Sequence, residues 1–239
     1  MIESNIQPPY AAVLFDLDGT LLDTLDDLCD SMNSALDRLG FPPHPKDAYR
    51  FMVGDGVDTL ARRVLPPERR GDDEVWKALV AAMREEYGRR WDKKTRPYAG
   101  IPELLDDLAA MGVKMAVLSN KPNDFTLLNV RRFFKRNIFS AVSGAKPDVP
   151  KKPDPSAAIA MANELGIVPE RWLYLGDTST DIQTALRAGM TPLGALWGFR
   201  PAEELADAGA KALLERPSQL LEYLNGTGCA TSPTDSRGR

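Results

Sequence analysis

An unbroken apolar stretch at residues 10–15 stops abruptly at Asp16, and its short length predicts a buried strand rather than a helix. Helical spacing takes over next. Leu25, Leu28, Met32, Ala35, Leu36 and Leu39 share one face, with Thr24 placed as N-cap and Gly40 as stop. A proline-rich loop at 41–45 leads to Gly54-Asp55-Gly56 and a short helix ending near Leu65. A longer helical stripe then carries Val75, Trp76, Leu79, Val80, Met83 and Tyr87. Residues 24–96 therefore read as wholly helical, with no strand.

Beyond them the pattern changes. Ile101, Leu104, Leu105, Leu108 and Met111 form a helical stripe with Pro102 near its start and Gly112 past its end. Strands are predicted at 113–118, 172–175, 192–196 and 210–214. Helices lie between them, one opening at Asp154-Pro155 and one carrying Ile182, Ala185 and Leu186 before Gly189. Strands alternating with helices pair in parallel through right-handed crossovers. The expected fold is α/β: a Rossmann-like, doubly wound parallel sheet formed by residues 10–23 and 97–225, interrupted by a helical insertion at 24–96. Small and polar residues from Gly226 onward predict a disordered tail at 226–239.

Composition narrows the chemistry. The 239 residues are 43% hydrophobic and 27% charged, with a net charge of −4, which argues against a nucleic-acid binder. The basic cluster Arg131-Arg132 with Lys135-Arg136 reads as a solvated helix face. No apolar run is long enough for a membrane helix, and the first residues lack the order of a secretory signal, so a cytoplasmic location is expected. Two scattered cysteines, Cys29 and Cys229, and the single His44 exclude a multi-histidine zinc site and disfavour a Ser-His-Asp hydrolase. Carboxylates, lysine and a hard metal remain.

In open α/β sheets the ligand sits beyond the carboxyl ends of the strands. At those ends stand Asp16-Leu17-Asp18-Gly19-Thr20, Ser119-Asn120, and Gly176-Asp177-Thr178-Ser179-Thr180-Asp181. Extended backbone would put Asp16 and Asp18 on the same side. Asp16 suits attack on phosphorus, giving an aspartyl-phosphate, and Asp18 suits protonation of the leaving oxygen and later activation of water. Gly19 lets the chain turn, and Thr20 offers a hydroxyl and an amide to a phosphate oxygen. An anionic nucleophile approaching an anionic phosphate needs positive charge. Mg²⁺ is the expected cofactor, with Asp16, Asp177 and the Asp18 carbonyl as ligands. Ser119 and the Asn120 amide could bind phosphoryl oxygens. Lys152 is the expected cation of the transition state, with Lys146 a decoy and Lys151 a rival.

Taken in order, Asp16 to Thr20, Ser119-Asn120, Lys152-Pro153, and Gly176-Asp177 with Asp181 resemble the motifs of the haloacid dehalogenase-like hydrolases. Gly54-Asp55-Gly56, Leu60 and Arg63, with Ser119-Asn120-Lys121-Pro122, resemble the phosphoglycolate phosphatase-like branch. The resemblance spans residues 10–224. It implies a mobile helical cap at 24–96, and Asp181 orienting Lys152 or a metal-bound water. It further implies a substrate-binding segment with Gly54, Gly56 and Arg63, the last preferred over Arg62 as partner of a substrate carboxylate. The expected activity is hydrolysis of a small phosphorylated metabolite, 2-phosphoglycolate first. A phosphosugar mutase or a pyrophosphatase on the same fold is the alternative, and a receiver-like regulatory module a further one. Oligomeric state is not encoded in these motifs.

Overall fold

The computed structural model describes residues 9–224, so the predicted tail at 226–239 lies outside the described residues. In chain order the elements are β1 (Ala12–Phe15), β2 (Leu22–Asp23), α1 (Leu25–Arg38), α2 (Lys46–Met52), α3 (Val57–Val64), α4 (Asp73–Arg90) and β3 (Arg96–Pro97). They continue with α5 (Ile101–Ala110), β4 (Lys114–Pro122), α6 (Asn123–Phe133), β5 (Ala141–Ala145), α7 (Ser156–Glu164) and β6 (Trp172–Gly176). The chain closes with α8 (Ser179–Ala188), β7 (Thr191–Ala195), α9 (Ala202–Asp207), β8 (Ala212–Leu214) and α10 (Gln219–Leu224).

Six strands form one parallel sheet in the order β5-β4-β1-β6-β7-β8. β1 is central, and every one of its residues is fully buried. Alternation along it serves two cores. Val13 and Phe15 face α5 and α10 through Leu104, Leu108 and Leu220, while Ala12 and Leu14 face α7 and α8 through Ala162 and Ala185. This is the two-sided burial that gives strands of parallel sheets their continuous apolar runs. From β1 the chain winds outward through β4 and β5, then returns to β6 on the other side of β1. The reversal opens a crevice above the carboxyl ends of β4, β1 and β6.

Helices α1 to α4 sit between β2 and β3 and own a separate apolar cluster. Leu25, Cys29, Met32 and Leu36 of α1 line up at helical spacing and meet Leu79, Met83 and Tyr87 of α4. Phe125 of α6 and Phe199 join this cluster from the sheet side. The two crossings between segment and sheet pair as the short antiparallel β2–β3 ladder. Buried Asp27 reinforces it, accepting hydrogen bonds from the Thr95 amide and hydroxyl, both at 2.8 Å, and from the Lys94 amide at 3.0 Å.

Three expectations change. Residues 24–96 are not free of strand, because Arg96 pairs with Asp23 where the segment rejoins the sheet. An edge strand, β5, stands where periodicity signalled none: Ala-Val-Ser-Gly-Ala is too short and too mixed to alternate legibly. β4 runs on to Pro122, past the predicted end at 118, so Ser119 and Asn120 lie within the strand. Thr24 occupies the N-cap position of α1, but its hydroxyl is buried without a hydrogen-bond partner. Among the described residues no helix is long and apolar enough to cross a membrane.

Candidate active site

The crevice brings residues far apart in sequence onto one cluster. Asp16 follows β1 and hangs on its neighbour through the amide, which donates to the Leu175 carbonyl at 3.0 Å. Lys152 enters from the loop before α7. Its Nζ donates to Asp16 Oδ1 at 2.7 Å, Asp181 Oδ1 at 2.6 Å and the Leu118 carbonyl at 3.1 Å. All three ammonium protons are thereby aimed, and the lysine is fixed. Asn120 holds the same loop by its backbone: its Oδ1 accepts from the Lys152 amide at 2.9 Å and its Nδ2 donates to the Lys152 carbonyl at 3.1 Å. That side chain also donates to the Gly54 carbonyl at 3.2 Å, so any contact of Asn120 with a phosphoryl oxygen falls to its backbone. Lys151 instead pairs with Asp58 at 2.6 Å, and Lys146 lines an outer groove.

Asp181 does two jobs. It closes a reciprocal cap at the start of α8, where its Oδ2 accepts from the Thr178 amide and hydroxyl at 3.1 and 2.7 Å. Its other oxygen holds Lys152. Asp177, fully buried, accepts from the Thr20 hydroxyl at 3.0 Å and the Phe199 amide at 2.8 Å. Thr20 is thus already bonded to a carboxylate. Gly19, at φ +92°, has no room for a side chain, since a Cβ there would sit 2.3 Å from Asp177 Oδ2. Gly198 closes the opposite side, where a Cβ would come within 2.2 Å of Asp177 Cβ. That glycine carried no sequence signal, because its constraint comes wholly from a distant loop.

Burial dominates the electrostatics. It pushes Asp16 up to about 7 despite the opposing Lys152 charge, and it pushes Asp177 well above the usual carboxylate range, with Asp16 and Asp181 adding to the effect. Burial works against the charge of Lys152, but Asp16 and Asp181 outweigh it and hold the lysine well above its ordinary range. Asp16, Asp177 and Asp181 place ligand oxygens within 4.8 Å of one another. Lys152 bonds two of these three buried carboxylates, Asp16 and Asp181, and the hydrogen-bond donors to Asp177 are both neutral. An all-oxygen set with surplus negative charge fits a hard divalent cation. All three already accept hydrogen bonds, Asp16 from Lys152, Asp181 from Lys152 and Thr178, and Asp177 from Thr20 and Phe199, and their remaining lone pairs could serve a cation. The Asp18 carboxylate stands apart from this triad, so Asp18 could reach such an ion only through its carbonyl.

Asp18 faces Lys121 instead, whose Nζ donates to both carboxylate oxygens at 2.9 and 3.1 Å. The motif Ser119-Asn120-Lys121-Pro122 by itself assigns Lys121 no role. The cavity above Asp16 and Asp18 is lined by Ser119, Lys121, Gly54 and Gly56, with apolar side chains from α1, α3, α4 and α6. Arg63 does not line it. Its guanidinium donates to Asp55 Oδ2 at 2.5 Å and to the Met52 carbonyl at 2.9 Å, bracing the Gly54–Gly56 loop. Asp55 accepts in turn from Thr180 at 2.9 Å, tying that loop to α8. Arg62 lies on the outer face, bonded to Asp73.

A family model described as haloacid dehalogenase-like hydrolase matches residues 13–195, a span that contains all four motifs. The chain belongs to the haloacid dehalogenase-like hydrolases. Within that family it is 32% identical over 227 residues to a phosphoglycolate phosphatase of Pseudomonas putida, covering 93% of this chain and 80% of that protein. It is also 32% identical over 213 residues to a phosphoglycolate phosphatase of Aquifex aeolicus, covering 89% and 96%. A crystal structure from Lactobacillus delbrueckii subsp. bulgaricus, of a candidate phosphoglycolate phosphatase, superimposes with a TM-score of 0.84 at 29% identity, covering 90% of this chain and 98% of that one.

Proposed function

We propose that this hydrolase is a phosphomonoesterase that uses Mg²⁺ and transfers the phosphoryl group of a small acid, 2-phosphoglycolate, to Asp16 before hydrolysis. The observation that carries this reading is the buried Asp16–Lys152–Asp181 cluster beside Asp177 at the sheet's switch point. Asp16 and Asp177 hold the ion, which when bound supplies positive charge that offsets the charge gathering between carboxylate and phosphoryl group.

The chain's own residues do the rest. Lys152 fixes the Asp16 carboxylate and adds a stationary positive charge where negative charge shifts during transfer. Ser119 and the Asn120 backbone face the phosphoryl oxygens. Asp18, two residues beyond the nucleophile, gives its proton to the leaving oxygen and then takes one from the water that attacks the aspartyl-phosphate. Residues 24–96 act as a cap whose closure excludes water and whose opening releases product. Support comes from the segment's own apolar cluster and from the narrow two-stranded connection.

The test is rapid-quench mass spectrometry with 2-phosphoglycolate and Mg²⁺. A phosphorylated peptide containing Asp16 is expected to form and decay with release of phosphate, and both events are lost with a strong chelator. A stable phosphoprotein without turnover would make the chain a receiver-like module instead.

A further inference from the structure

The cavity's lining says which leaving group it takes. Leu28, Val53, Leu60, Met83 and Phe125 wall much of it with carbon, which leaves the several hydroxyls of a sugar few groups to bond. Its two cations differ. Arg84 is half exposed at the rim and paired with Asp124. Lys121 is buried, its side chain 3% exposed, and it lies 4.6 Å from the Tyr87 ring centroid while gripping Asp18. Burial opposes its charge, but Asp18 and Tyr87 outweigh that, so Lys121 carries a proton firmly. A second polar group waits beside it. The Tyr87 hydroxyl, buried in α4 beside Lys121 and Asn129, makes no hydrogen bond of regular geometry.

Resting on the phosphatase reading, we propose that Lys121 is the specificity-determining cation, which pairs with a carboxylate on the carbon next to the ester oxygen. The leaving oxygen must come within hydrogen-bond reach of Asp18. Lys121 Nζ is itself 2.9 Å from Asp18 Oδ1. A carboxylate joined to the ester oxygen through one carbon therefore lands on the ammonium as the oxygen meets the acid. The substrate carboxylate replaces Asp18 as partner of Lys121, and Tyr87 donates the second hydrogen bond from the helical segment. An O-phosphorylated 2-hydroxy acid offers both contacts at once. The exchange also frees the Asp18 carboxylate from its bidentate pair when the right substrate is present. Lys121 thus couples recognition to positioning of Asp18.

The experiment compares kcat/KM for 2-phosphoglycolate with that for ethyl phosphate, which has the same skeleton without the carboxylate. The wild-type ratio is expected to be at least ~100, and Lys121→Met to lower it by ~30-fold or more, as loss of a charge-assisted contact does. Lys121→Arg should recover much of the ratio, and Tyr87→Phe should lower it by about 3–10-fold. A ratio left unchanged while both substrates slow together would reduce Lys121 to a support of Asp18 and overturn the inference. A ratio unchanged with neither substrate slowed would overturn it as well. Inhibition of the wild type needs no variant: glycolate should compete with ethyl phosphate, and ethanol should not. Equal inhibition by the two overturns the proposal. A wild type that cleaves ethyl phosphate and 2-phosphoglycolate equally sinks this inference alone, whereas one that cleaves no phosphomonoester sinks the phosphatase reading with it.

Discussion

The floor of the cavity and the rim of its roof hold charge in opposite ways. On the floor, Asp16, Asp177, Asp181 and Lys152 are each at most 6% exposed; Lys152 bonds Asp16 and Asp181, and Asp177 lies beside them. The roof, α1 to α4, contributes aliphatic and aromatic side chains, packs against Phe125 and Phe199, and at its rim adds ion pairs such as Lys151–Asp58, with side chains 34% and 46% exposed. Removing one member of a buried pair strands its partner in low dielectric, whereas an exposed pair is screened by water and salt. The floor is therefore built to hold its charged atoms still, while the rim pairs hold theirs loosely.

The strongest test of that contrast is the nucleophile. Asp16→Asn should lower phosphate release by at least ~10⁴-fold with little change in fold, read by steady-state kinetics and circular dichroism. Retained activity would place the chemistry elsewhere. Next is the cation that organises the floor. Lys152→Met should cost about 3 kcal/mol in urea unfolding without added metal, because Asp16 and Asp181 lose their shared partner. A loss near that of a surface pair would mean that the floor tolerates disorder.

The pH dependence sharpens the same point. An unfolded carboxyl ionises near 3.8, while folded Asp16 keeps its proton up to about 7. Between these values the folded chain binds the extra proton, so stability falls as pH rises, and the full penalty stands above about 7. Chelator-treated wild type should therefore lose at least about 4 °C of melting temperature relative to Asp16→Asn between pH 5 and pH 8. Mg²⁺ should raise the wild-type melting temperature more at pH 8 than at pH 5, since protons compete for the same oxygens. The smallest effect belongs to the rim. Lys151→Ala should change stability by less than ~1 kcal/mol, and added salt should shrink even that difference.

Much of the floor was readable in advance because it lies at ends of strands. A short apolar run that stops at Asp16, and another that stops at Gly176-Asp177, mark both an element and its functional end within a few residues. The helical character of α1 and α4 was equally local, carried by spacing alone. β5 escaped notice because five small, mixed residues become a strand only by lying beside β4. Arg63 was attractive because a cap arginine suits a carboxylate, yet Asp55 and the Met52 carbonyl already occupy its guanidinium.

What the sequence determined by itself is most of the elements, the parallel arrangement of the main sheet, and the acids at the strand ends, since short-range periodicity and abrupt polar stops encode all three. Only the tertiary structure decided which lysine meets Asp16, which meets Asp18, and which glycine makes room for Asp177. Those partners lie 136, 103 and 21 residues apart along the chain. No local rule connects them: crossovers and packing bring them together, and burial then turns their proximity into strong electrostatics.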